Sequence, residues 1–144
     1  MKYPLLALAI LALYFAGCAT PATPPMATQL LQYQRTGGIA GFDDALVIMT
    51  DGKAQLTQRG MTIEFTLDAA AIAQLEALFE QQGFLFMQGE HVPANTCCDL
   101  MSYVIHYTAA GHPMKRVHAM DRAVPQDLRP ILAALNEIVS AHSQ

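Results

Sequence analysis

Positive charge is scarce in this chain: 8 lysines and arginines stand against 12 aspartates and glutamates over 144 residues, and the basic ones form no cluster. A surface of that sign argues against nucleic acid as a partner. Beyond the N-terminal segment no apolar run reaches membrane-spanning length. Short metal-ligand pairs are missing as well. His91, Cys97, Cys98, Asp99, His106, His112 and His118 fall within one third of the chain, yet none forms the Cys-x-x-Cys or His-x-x-x-His spacing that aims two ligands at one zinc. Asp43-Asp44 lacks the oxygen-rich loop of a calcium site and reads as a solvated turn. Ser102 and Ser140 have no glycine elbow, and the glycine run at 37–41 leads into a strand rather than a phosphate-binding helix. The expectation is a protein without catalytic residues, metal or cofactor.

The N-terminus is more informative. Lys2 supplies a positive start, Pro4 to Tyr14 an apolar run too short to span a bilayer as a stable helix, and Ala16-Gly17 two small residues before Cys18. This segment resembles a bacterial lipoprotein signal peptide, with Phe15 where such signals usually carry an aliphatic residue. The resemblance implies cleavage after residue 17 and acylation of Cys18 by diacylglycerol and a further chain such as palmitate. Two or more chains attach a protein firmly where one binds marginally. The site of action is then extracytoplasmic, and Ala19, in place of a retention aspartate, points to the outer membrane where the host has one. Residues 18–28, rich in Pro, Thr and Ala, read as a tether. Residues 29–144 are the size of one small domain.

Within that domain, Leu30 to Arg35 alternates like a strand. Ala45 to Thr50 and Lys53 to Gln58 flank Asp51-Gly52, a pair that favours a two-residue type I′ hairpin, with Val47 and Met49 on the face of Ala54 and Leu56. Met61 to Leu67 places Met61, Ile63, Phe65 and Leu67 on one side. Asp68 is a candidate N-cap for a helix running to about Gln82, striped by Ile72, Leu75, Leu78 and Phe79, and Gly83 suits the left-handed position that ends it. Met101 to Thr108 and Met114 to Met120 form a second hairpin; pairing 106 with 116 turns Tyr103, Ile105, Tyr107, Val117 and Ala119 inward. Leu128, Ile131, Leu132, Leu135, Ile138 and Val139 stripe a last helix. The order of strands, helix, strands, helix predicts an α+β domain, with four to five antiparallel strands and both helices on one face.

Removing Cys18 from the three cysteines leaves the adjacent pair Cys97 and Cys98 in an oxidising compartment. Two readings stand at this level, a vicinal disulfide, structural or acting as a thiol switch, and a pair of free thiols. The spacing gives no support to thioredoxin-type chemistry.

Arg35-Thr36-Gly37-Gly38-Ile39-Ala40-Gly41-Phe42, an acid at the start of the first helix, Tyr103 in a late strand and Pro125-Gln126-Asp127-Leu128-Arg129-Pro130 together resemble the emfourin-type family. The similarity spans most of residues 30 to 140, and the Arg-Thr-Gly-Gly segment is its most specific part. The resemblance implies a small inhibitor of thermolysin-like metalloproteases. Its lipoprotein signal and Cys97-Cys98 pair set this chain apart from that pattern. The Thr36 to Asp44 turn and the Gln88 to Leu100 loop are the candidates for a partner-binding segment, since loops on a rigid sheet commonly carry binding.

Overall fold

The computed structural model describes residues 27–143, so the signal segment, Cys18 and most of the tether lie outside the described residues. The elements run β1 (Gln29–Gly37), β2 (Phe42–Met49), β3 (Lys53–Gln58), β4 (Met61–Thr66), α1 (Ala69–Gln81), a 3-10 turn at Phe84–Phe86, β5 (Glu90–His91), β6 (Met101–Tyr107), β7 (Lys115–Met120) and α2 (Leu128–Ala141). All strands join one sheet in the order β4-β3-β2-β1-β6-β7-β5. The class is the expected α+β, but the sheet has seven strands rather than four to five. It is also mixed, because β5 pairs parallel to β7. Every alternating stretch enters the same sheet, and β5 is two residues long, too short to leave a periodic signature.

Both helices cover one face. Leu31, Tyr33, Leu46, Ile48, Leu56, Ile105, Tyr107, Val117 and Ala119 point into the core, where Ile72, Leu75 and Phe79 of α1 and Leu128, Ile131, Leu132, Leu135 and Val139 of α2 meet them. The Phe79 ring lies 4.3 Å from Tyr107, and the Tyr33 hydroxyl donates to Asn136 of α2. Asp68 caps α1 by accepting from the Ala71 amide at 2.7 Å, and Gly83 takes the left-handed conformation just beyond its end, both as the sequence predicts.

The β2–β3 hairpin differs from expectation by one residue. The turn has three residues, Thr50 to Gly52: the Gly52 amide donates to the Met49 carbonyl, Gly52 has φ +85°, and Ile48 stands opposite Ala54 and Leu46 opposite Leu56. A turn followed by a left-handed glycine is a common three-residue hairpin. Because side chains alternate, that extra residue moves Leu46 and Ile48 into the core in place of Val47 and Met49. The second hairpin keeps the predicted register, His106 opposite Arg116.

β1 sits at the centre of the sheet and fixes its two ends. The Thr28 carbonyl accepts from the Thr50 amide and the Thr28 amide donates to the Thr50 hydroxyl, whereas Gly37 lies at the opposite end beside Met101. Thr28 and the glycine-rich turn are therefore at opposite ends of the domain.

Candidate functional site

At the end remote from the tether, β1 breaks into four residues, Gly38 to Gly41, before β2 returns. The Gly41 amide donates to the Gly38 carbonyl at 2.9 Å, and Gly37, Gly38 and Gly41 all have positive φ. Gly37 is required twice over, since a Cβ there would sit 2.5 Å from the Leu100 carbonyl oxygen. Ile39 stands at the tip, 94% exposed.

A buried polar network braces this turn. Arg35 Nε donates to Asp44 Oδ2 at 2.8 Å, its Nη2 donates to the same oxygen, and its Nη1 reaches Asn136 Oδ1 at 2.8 Å. Gln58 Nε2 donates to Asp44 Oδ1 and the Tyr33 hydroxyl to Asn136 Oδ1. The Arg35 and Asp44 side chains are only 14% and 6% exposed, and the Phe42 ring covers the guanidinium 4.4 Å from its centroid. Burial raises the Tyr33 pKa above its ordinary value, against the opposing pull of Arg35, so its hydroxyl remains a donor. This corrects one expectation: Asp43-Asp44 is not simply a solvated turn, because Asp44 is the buried partner of Arg35. Arg35 itself is largely buried where β1 runs into the turn.

The second candidate loop lies alongside. Cys97 and Cys98 are joined as a vicinal disulfide and exposed, and the Asn95 side chain accepts from the Cys97 amide at 2.9 Å. The chain then passes through Cys98 and Asp99, both at positive φ, to Leu100, whose carbonyl backs Gly37. Asp121 pins the same corner, accepting from the Met101 amide at 3.0 Å and from the Tyr103 hydroxyl at 3.2 Å. Burial, and then the Asp121 charge, raise the Tyr103 pKa. The sequence separated these two loops by some fifty residues, and the sheet brings them together.

Arg59 and Arg122, the other non-glycine residues with positive φ among those described, occupy turns at this end too. Unusual backbone conformations gather where surrounding structure holds a binding surface in shape. A cavity of about 410 Å³ opens beside the turn, lined by Phe42, Asp44, Gln58, Met61, Ile63 and His142 among others. His142 stacks on Phe65, centroids 3.7 Å apart. Met61, Arg59, Asn136 and His142 escaped sequence reasoning, since nothing local marks them as neighbours of residues 35–44.

One further constellation lies on the uncovered face of the sheet. Ser102 Oγ is 3.0 Å from His118 Nε2, and His118 Nδ1 is 2.8 Å from Glu90 Oε2; Arg116 holds the other Glu90 oxygen. Arg116, then His118, lower the Glu90 pKa. The order of groups matches a nucleophile, base and orienting acid. Ser102 lies in an interior strand paired on both sides, to Thr36 and to Met120. The chain ties short β5 to the sheet. Among the described residues no group of three or more His, Cys, Asp or Glu is arranged to hold a metal ion, and no helix is long and apolar enough to cross a membrane.

No protein-family model and no curated protein sequence matches this chain.

Proposed function

We propose that this chain is a lipid-anchored, extracytoplasmic binding domain without catalytic activity, which captures a protein partner with the loop end of its sheet. The observation that carries the reading is Ile39, a large apolar side chain almost fully exposed on a turn that Arg35, Asp44, Gln58 and Asn136 hold rigid. A preorganised loop loses little conformational freedom on binding, so more of its contact energy appears as affinity. The exposed Phe42 and Met61 beside it and the adjoining cavity offer further apolar contact. The opposite placement of the tether supports the same reading, because a domain anchored through Cys18 would present this end away from the bilayer.

A second, narrower reading is inhibition of a thermolysin-like metalloprotease. It is favoured by the fact that the segment carrying the emfourin resemblance, Arg35 to Phe42, forms this protruding turn. A hairpin of that shape, backed by the Leu100 wall, suits entry into an active-site cleft. A third reading, a thiol switch, draws on the place of Cys97-Cys98 two residues before that wall: reduction would release the loop that supports Gly37. Capture of envelope proteins by the wild-type domain, compared with Ile39→Asp, tests the general reading. A partner retained equally by both would show that the loop end is not the contact.

A further inference from the structure

A second exposed apolar group lies at the other end of the domain. Phe86, in the 3-10 turn after α1, is 90% exposed, and Met114, at the start of the return into β7, is 58% exposed. Phe86 shares a cavity of about 410 Å³ with Phe84, Leu85, Tyr107, Ala110 and His112. Tyr107 places this group at the tether end: it pairs with Leu31, three residues after Thr28, and the next amide, Thr108, donates to the Leu30 carbonyl.

We infer that the tether end is a membrane-contacting surface, with Phe86 and Met114 inserting into the interfacial region of the bilayer that holds the lipid anchor. The inference rests on the lipid-anchor reading above. Ten peptide steps separate Cys18 from Thr28, a span of about 31 Å if fully extended as polyproline and about 17 Å as a flexible coil. The tether therefore holds its end of the domain close to the headgroups at high effective concentration. The glycine-rich turn lies farther out by the length of β1, nine residues or about 26 Å. Glu76 and Glu80 border the same cavity, so acidic lipid would not attract this surface. Contact depends on burying apolar side chains, and an aromatic ring suits the membrane interface.

The chain has no tryptophan, so Phe86→Trp gives a single reporter at a position too exposed to matter for folding. The full acylated protein carrying it is reconstituted in phosphatidylcholine vesicles, with and without bromine on the upper acyl chain, and Ile39→Trp is measured in parallel. Blue-shifted emission quenched several-fold more at position 86 than at position 39 is expected. Retention on vesicles with unquenched, water-like emission at 86 would overturn the contact alone, as would equal quenching at both sites. A blue shift without quenching would mean burial against a second copy and would likewise overturn it. Failure of the protein to stay with the vesicles would instead refute the lipid anchor, and the contact with it.

Discussion

Replacing Gly37 by alanine tests whether the glycine-rich turn is held by direct backbone contact, and Gly41→Ala is its matched control. Both glycines have positive φ, +94° and +63°. An L-residue pays about 1–2 kcal/mol in that region, offset by about 0.4–1 kcal/mol from a less flexible unfolded chain. At Gly41 nothing lies within 4 Å of the new Cβ, so the net loss is about 0.5–1 kcal/mol. At Gly37 the new Cβ sits 2.5 Å from the Leu100 carbonyl oxygen, where ordinary contact begins at 3.4 Å. Backbone must therefore shift by nearly an ångström, and overpacking of this kind adds about 1–3 kcal/mol. Urea denaturation of the domain from Thr28 onward, followed by circular dichroism, reads the difference as a change in midpoint at constant slope. Gly37→Ala is expected to lose about 2–4 kcal/mol. Equal losses for the two variants would refute the close approach of the turn to Leu100.

Asp44→Ala strands a buried guanidinium and is expected to lose about 3–5 kcal/mol, whereas Arg35→Met combined with Asp44→Leu loses less than that single change; a loss under about 1 kcal/mol for Asp44→Ala in the same denaturation series would mean that solvent screens the pair. Burial, and then Arg116, hold the His106 pKa below its ordinary value of 6.5, so the unfolded chain takes up its proton first. Stability attributable to this residue is then full above about pH 6.5, falls as pH drops toward the folded value and levels off below it. A pH series in which His106→Gln leaves that decline unchanged would place its origin elsewhere. Loss of the favourable Glu90 contacts belongs to a separate window, below the ordinary carboxylate value of 4.5.

Long periodic elements were legible in the sequence because one face of each had to be apolar. The α2 stripe, the Asp68 cap, the β4 alternation and the 106–116 register all appear where local pattern places them. The β2–β3 register was not, because Asp51-Gly52 fits both a two-residue and a three-residue turn, and the choice rests on which face of β2 the helices cover. At the site, the glycine pattern marks the turn, and the structure adds that Ile39 stands exposed at its tip. What it cannot show is that Arg35 and Asp44 face inward, since that depends on Asn136, about a hundred residues away. The meeting of the Cys97-Cys98 loop with Gly37 likewise follows from β1 lying next to β6, a sheet order that periodicity does not encode.

The most direct test of the glycine-rich turn as a binding surface, on the inhibitor reading, is titration of a thermolysin-like metalloprotease with the intact domain from Thr28 onward, alongside Ile39→Asp, with digestion of the domain monitored throughout. That reading predicts saturable inhibition by the wild-type domain, weakened at least tenfold by Ile39→Asp, equivalent to about 1.4 kcal/mol or more of binding carried by the turn. Full protease activity in the presence of excess undigested domain would contradict the inhibitor reading. Inhibition indifferent to Ile39 would contradict the claim that the glycine-rich turn is the surface that binds.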